Sequence, residues 1–462
     1  MSKYQAYPEY KDSEVKWLGN LPNSWYESSL KYLLSSVIAG GTPDSSNEIY
    51  WTESGNGTPW VSIADITKNT LITSTNKDVT NLGMLAKNLK LLPKGTILYS
   101  IFASLGKIAV ANKPLVTNQA ILGLTPNKKV NNSFLCFWLS QLESHLSLFS
   151  TSNTQDNLNA EKVGNLPVFV PSLNEQTQIA AFLDHETAKI DTLIEKQQQL
   201  IELLKEKRQA VISHAVTKGL NPDAQMKDSG VEWLGEVPEH WVVAQLKFNT
   251  ELMQTGPFGS QLHAEDYVEN GTPLINPAHM VNGKIIPDPQ ISVDEETRER
   301  LSRHQLNSGD IIFARRGELG RCAVVQENEV GWLCGTGSLK ATLNSKLLSE
   351  YAYLLITSDG VVAELSLESK GSTMDNLNTE TLGKIRTPVP PIKEQQEILE
   401  YVETVSGKYK LLVENAEAAT KIMQERRTAL ISAAVTGKID VRNWVAPTTS
   451  SDTNEAQQEV TA

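Results

Sequence analysis

Two stretches of the chain repeat apolar residues every three or four positions over several heptads. In 175–217, Leu183, Ile190, Leu193, Ile194, Leu200, Ile201, Leu204 and Val211 fall along one seam, and Glu, Gln and Lys cover the other faces. This spacing predicts a long amphipathic helix of coiled-coil type. Gln197 also falls on the seam, where a polar side chain is a candidate for setting register. Ser172-Leu173-Asn174-Glu175, directly after Pro171, reads as a capping box. A second helix is predicted over about 394–436, with Val402, Tyr409, Leu412, Val413, Met423, Leu430 and Ile431 on its seam and Pro391 at its start. Forty-three helical residues would reach roughly 65 Å. The regions between read as β-rich. They hold short runs such as Pro59-Trp60-Val61-Ser62-Ile63, Thr96-Ile97-Leu98-Tyr99 and Asp310-Ile311-Ile312-Phe313, punctuated by Gly, Pro and Asn. After residue 444 the chain turns polar and is expected to be disordered.

The pattern is written twice. Lys11-Asp12-Ser13-Glu14-Val15-Lys16-Trp17-Leu18-Gly19 returns as Lys227-Asp228-Ser229-Gly230-Val231-Glu232-Trp233-Leu234-Gly235, and Pro22 and Trp25 return as Pro238 and Trp241, at an offset of 216. At an offset of 219, Thr154–Thr217 matches Thr373–Thr436 without a gap and with 23 identities over 64 positions, beginning at Asp156-Asn157-Leu158-Asn159 and Asp375-Asn376-Leu377-Asn378. The intervening regions diverge but keep a skeleton at an offset of 214, in which Gly57-Thr58-Pro59 answers Gly271-Thr272-Pro273 and Gly106-Lys107-Ile108-Ala109-Val110 answers Gly320-Arg321-Cys322-Ala323-Val324. Such a chain is close to circular, and the N-terminal block is expected to complete the second unit.

Composition narrows the class. The chain has 462 residues, 40% apolar and 21% charged, with 42 Lys and Arg against 54 Asp and Glu for a net −12. That length suggests several domains, and that balance argues against a protein that coats nucleic acid non-specifically. Residues 32–150, with nine Lys against six acidic residues, form a basic island. There is no apolar run of membrane-spanning length, and Met1-Ser2-Lys3-Tyr4-Gln5 lacks a signal-peptide core. With three scattered cysteines (Cys136, Cys322, Cys334), the expectation is a cytoplasmic protein with reduced thiols.

No catalytic motif emerges. Four Gly-Lys-Ile triplets, at 106, 283, 383 and 437, are not followed by Ser or Thr and end no Walker loop. Asn276-Pro277-Ala278 is the nearest approach to an amino-methyltransferase signature and lacks its second Pro and aromatic. The seven His are isolated. In the repeated Asp-Asn-Leu-Asn, Asn159 and Asn378 read as caps of short helices with Glu161 and Glu380 in the first turn.

The duplicated order of these blocks resembles the specificity subunit of type I restriction–modification enzymes. The residues carrying the resemblance are the Trp-Leu-Gly…Pro…Trp blocks, Asp-Asn-Leu-Asn, Pro171-Ser172-Leu173-Asn174-Glu175-Gln176 with its copy Pro390-Pro391-Ile392-Lys393-Glu394-Gln395, and the helix ends 206–213 and 425–432. The resemblance implies an α+β protein with two α/β target-recognition domains in pseudo-two-fold arrangement, separated by two long antiparallel coiled-coil helices. The division expected is 1–27 (conserved block), 28–170 (first recognition domain), 171–218 (central helix), 219–241 (linker with the repeated block), 242–389 (second recognition domain), 390–437 (C-terminal helix) and 438–462 (tail). It further implies a non-catalytic subunit that binds double-stranded DNA, each domain reading half of a split target. The implied partners are two modification subunits, which use S-adenosylmethionine to methylate adenine, and restriction subunits, which use ATP and magnesium. No cofactor or metal is expected on this chain. A coiled-coil scaffold without DNA specificity and an orphan specificity subunit of a methylation-only system are the alternatives.

The candidate DNA contacts are Lys87, Lys90, Lys94, Ser104, Lys107, Asn118 and Gln119 in the first domain, and Arg300, Arg303, Arg315, Arg316 and Arg321 in the second. Ile311–Ala314 running into Arg315–Arg321 and returning at Cys322 predicts a hairpin tip, with Ile101–Lys107 its counterpart. A kept frame with changed tip chemistry fits a base-reading loop, and two unrelated surface turns fit it equally. Arg315 or Arg316 suits guanine, while Lys107 and Arg321 suit phosphate.

Overall fold

A computed structural model describes residues 4–15, 17–102, 104–149, 158–369 and 377–447. Lys16, Ala103 of the first tip, the first four residues of each Thr154 and Thr373 repeat, and the tail from 448 lie outside the described residues. The chain divides into two compact units, residues 1–197 with 418–462, and residues 198–417.

The first unit is built on a five-stranded sheet in the order Leu34–Ala39, Ile121–Pro126, Ile97–Ser100, Ile108–Ala111, Leu71–Ile72. The first four strands pair antiparallel and the last pair is parallel. Ile97–Ser100 is buried on both faces: Ile97 and Tyr99 enter one core and Leu98 another, as strand alternation requires. A four-stranded sheet lies in the same unit, in the order Val116–Thr117, Thr58–Val61, Lys77–Val79, Trp51–Glu53.

The second unit repeats this plan. Thr250–Thr255, Ser338–Leu343, Ile311–Ala314 and Cys322–Val324 form an antiparallel sheet in that order, and Tyr267–Val268, Ser292–Val293, Thr272–Ile275 and Leu333–Cys334 form its companion. Ile311 and Phe313 enter one core and Ile312 the other.

The long helices run Leu173–Lys218 and Ile392–Val435, starting two residues before the predicted ranges and ending within one residue of them. Leu183, Ile190 and Ile201 are buried on the seam, and Gln197 is half-buried there. Leu193, Leu200 and Leu412 are not on it; they are 48%, 42% and 49% exposed. Each sits one position before a seam residue, so a seam that advances 3.5 residues per turn leaves it on the flank. In the second unit Arg208 Nε meets Ser406 Oγ at 3.5 Å and Val211 lies beside Tyr401, an antiparallel run. In the first unit Arg427 donates to both carboxylate oxygens of Asp191, at 2.8 and 3.2 Å.

The capping box forms only by half. Ser172 Oγ accepts from Glu175 N–H at 3.3 Å, but the Glu175 carboxylate turns away to accept from Tyr7 Oη at 2.7 Å and Trp25 Nε1 at 2.9 Å. Tertiary contacts outcompete the local cap because this carboxylate is buried among donors. The N-terminal block likewise completes the first unit, not the second. Leu18, Leu21 and Trp25 share a core with Ile431, Ala434 and Val435 at the end of the second helix, while Leu234, Val237 and Trp241 pack with Ala215 and Val216 at the end of the first. Each Trp block thus seats on the helix end that precedes it in the circular order.

Gln176 and Gln395, 1% and 0% exposed, fasten each recognition domain to its helix start. Gln176 accepts from Asn131 N–H and donates to the Lys129 and Pro171 carbonyls; Gln395 accepts from Leu348 N–H and donates to those of Lys346 and Pro390. Asn159 and Asn378 cap Ala160–Gly164 and Thr379–Lys384, accepting from Lys162 and Thr381 N–H at 2.8 Å each. Replacing either by Ala should cost about 1 kcal/mol in urea unfolding. A loss below the precision of that measurement would show the caps to be dispensable.

Candidate nucleic-acid interface

In each unit three backbone segments leave the same end of the main sheet. Ser100 pairs with Ile121 and Ala39 with Leu122, so the ends of two strands and the start of a third meet there. Ala314 with Ser338 and Thr255 with Leu339 make the same junction in the second unit. From it emerge a hairpin tip (101–107; 315–321), a glycine-bearing segment (40–43; 256–259) and a turn (118–120; 335–337). The chains cross closely. A Cβ on Gly40 would lie 2.2 Å from the carbonyl oxygens of Thr117 and Asn118, and one on Gly256 1.9 Å from that of Gly335, so only glycine lets the backbone pass.

The second tip is a hairpin, with Phe313 opposite Cys322. The described part of the Asp-Asn-Leu-Asn repeat fixes the base of each tip: Leu158 N–H donates to the Ile101 carbonyl at 3.2 Å, and Leu377 N–H to that of Arg315 at 2.8 Å. Arg315 returns the contact, its Nε donating to the Leu377 carbonyl at 3.3 Å. Arg316 is exposed and, among the described residues, has no hydrogen-bond or ion-pair partner. Phe102 holds the corresponding place in the first tip and is 38% exposed. The two basic frame residues are both paired, Lys107 with Glu143 at 2.6 Å and Arg321 with Glu318 at 2.5 Å; Arg321 Nη1 also reaches the Pro277 carbonyl at 3.4 Å.

Other sequence candidates divide. Lys87 runs alongside Gly41, Gln119 Oε1 accepts from Thr42 Oγ1, Asn118 Oδ1 accepts from Ala120 N–H, and Ser104 lies in the tip, so these four gather at the sheet end. Lys94 precedes Ile97 and lies at the opposite end of that strand, and Lys90 is exposed on the segment before Leu92. Arg300 braces the 259–266 segment through Asp266 at 2.9 Å and the Gln261 carbonyl at 2.7 Å. The backbone N–H of His263, then Arg300, hold the Asp266 carboxyl below its usual range. Arg303 is exposed next to His304, whose pKa burial lowers, with Arg303 adding to the effect.

Two members of the site escape sequence reading. Phe258, 62% exposed, stands on the glycine-bearing segment, and an aromatic within Gly256-Pro257-Phe258-Gly259 was the available signal. Asn276 Oδ1 accepts from Gly337 N–H at 3.2 Å and holds the turn, a role with no sequence signature. Among the described residues no group of three His, Cys, Asp or Glu is placed to hold a metal, and no helix is long and apolar enough to cross a membrane. Burial pushes the thiols of Cys322 and Cys334 up to about 12, so both stay protonated at neutral pH. The arrangement offers exposed side chains on a rigid sheet end, a geometry for recognition.

The sequence matches the family described as type I restriction modification DNA specificity domain over residues 22–203 and again over 238–417. It is 24% identical over 452 residues to the type I restriction enzyme MjaIX specificity subunit of Methanocaldococcus jannaschii, covering 96% of this chain and 99% of that one. Identity to the EcoKI specificity subunit of Escherichia coli K12 is 26% over 344 residues, covering 71% and 72%. In fold the chain is similar to a chain from a type I R-M system (TM-score 0.64, 15% identity, covering 90% and 98%) and to the HsdS subunit of Thermoanaerobacter tengcongensis (TM-score 0.51, 14% identity, covering 91% and 98%). These matches favour a specificity subunit over a coiled-coil scaffold. With two copies of the domain spanning most of its length, the chain belongs to the type I restriction–modification specificity subunits, DNA-recognition proteins with two specificity domains.

Proposed function

We propose that each specificity domain reads one half of a bipartite, asymmetric target on double-stranded DNA through the sheet end described above, and that the two long helices set the unread spacer and dock two modification subunits. What carries this reading is a frame repeated in both domains, with the same strand ends, close glycine crossing and tip anchored on Leu158 or Leu377, that presents different exposed side chains, Phe102 in one and Arg316 in the other. Constant scaffolds with variable tips suit base readout. The recognition domains of this reading are residues 28–170 and 242–389, and each of those spans holds one copy of the frame. The chain is the non-catalytic member of a cytoplasmic complex. Modification subunits with S-adenosylmethionine methylate adenine, and restriction subunits with ATP and magnesium cleave.

The test is methylation mapping with purified components. The chain alone should methylate nothing, and the chain with modification subunits should mark a single split motif. Tight S-adenosylmethionine binding by the isolated chain in calorimetry would sink this division of labour. Lys107→Ala and Arg321→Ala should each weaken binding to all sequences alike and reduce the salt slope by about one unit. Each cation must leave Glu143 or Glu318 to reach a phosphate, so the loss in affinity is modest. Unchanged salt slopes in both variants would place these residues away from the DNA.

A further inference from the structure

In the first unit, both ends of the chain cover the helix-end surface around Phe182. Phe182 is fully buried, and Tyr4 and Trp444 meet its ring edge-on at centroid distances of 5.3 and 5.5 Å. Ile439 and Val441, 3% and 2% exposed, complete the cover, and Gln178 donates to the Trp444 carbonyl. In the gapless 219-residue register Phe182 corresponds to Tyr401, Leu430 to Val211 and Ala433 to His214. Among the described residues, that surface is bare in the second unit. Tyr401 is 42% exposed and Leu220 38%, and with Val211, His214 and Pro222 they line an open groove of about 470 Å³.

Chain connectivity explains the difference. The first unit's cover comes from two segments far apart in sequence, residues 4–9 and 439–444. In the second unit the corresponding place is one continuous linker, residues 219–225, which must join the helix end at Lys218 to the strand that starts at Met226. These seven residues carry no aromatic side chain, so the linker brings Leu220 and Pro222 to the groove but no ring onto Tyr401.

We propose that this groove docks an aromatic-bearing peptide segment supplied in trans by a protein partner, its ring taking on Tyr401 the place that Trp444 and Tyr4 take on Phe182. The inference is independent of how the sheet ends read DNA. Its probe is a fluorescent peptide of residues 437–447 of this chain, titrated into the full-length protein. Anisotropy should show saturable binding, and Tyr401→Ala and Leu220→Asp should each weaken it roughly tenfold, as should Trp444→Ala in the peptide. Both chain positions are exposed, and circular dichroism checks that the variants fold. On peptide addition, hydrogen exchange should slow across 207–222. Absence of binding to the wild type, or binding that survives both chain variants, overturns the proposal. So does a concentration-dependent dimer of the chain that Tyr401→Ala abolishes, since the occupant would then be a second copy.

Discussion

Lys340→Met should destabilise the second recognition domain by about 3–5 kcal/mol, measured by urea unfolding or by hydrogen exchange across Ser338–Leu343. The Asp310 and Lys340 side chains are 0% and 3% exposed, with Nζ 3.4 Å from Oδ2. Lys340 also donates to the Gln305 carbonyl, while Asp310 accepts from Asn307 N–H at 2.9 Å and Thr342 Oγ1 at 2.6 Å. Removing the ammonium leaves an uncompensated carboxylate in the core, and that desolvation cost dominates the loss. The first domain needs no such pair. Thr96 stands at the place of Asp310 and meets Thr125 Oγ1 at 3.3 Å, and Gly123 stands at the place of Lys340, where a Cβ would lie 2.5 Å from the Leu92 side chain. Adding Asp310→Thr to Lys340→Met should therefore recover most of the stability. A single Lys340→Met that costs under about 1 kcal/mol would show that the pair is not a strong determinant of the fold.

The helices and the duplication were legible in the sequence because both are local or serial properties. A seven-residue seam repeats along the chain, and 23 identities at one offset need no structure to be seen. The caps at Asn159 and Asn378 were legible for the same reason, each acting within three residues. What the sequence hid depends on distant partners. Glu175 lies in a capping pattern, yet its carboxylate binds residues 150 and 168 positions away. Gly40 and Gly256 look like ordinary turn glycines until the facing carbonyls are in place. Leu193 and Leu200 match a helical stripe, and only the partner helix decides which edge of a wide stripe is buried. Arg315 and Arg316 are chemically identical neighbours. Their roles separate only when Leu377 is found behind the tip.

That separation sets the second expected result, which rests on the proposed DNA reading. Arg316→Ala should relax one base position in the half-site read by the second domain, losing about 1–3 kcal/mol of discrimination, and leave the other half-site and the unfolding free energy unchanged. Its guanidinium is exposed and, among the described residues, unpartnered, so it reaches DNA without first surrendering a contact in the protein. Arg315→Ala should behave differently. Half-buried and bonded to the Leu377 carbonyl, Arg315 holds the segment that anchors the tip, and its loss should cost about 1 kcal/mol of stability and weaken binding to that half-site without changing which base is preferred. The first tip offers a reciprocal experiment. Phe102 occupies the place of Arg316, and an exposed apolar ring suits a thymine methyl rather than a purine edge. Phe102→Arg should therefore alter only the first half-site, and methylation mapping with modification subunits reads all three variants at once. If Arg316→Ala and Phe102→Arg both return the parent motif at parent affinity, the tips do not read bases and the recognition surface lies elsewhere on the two domains.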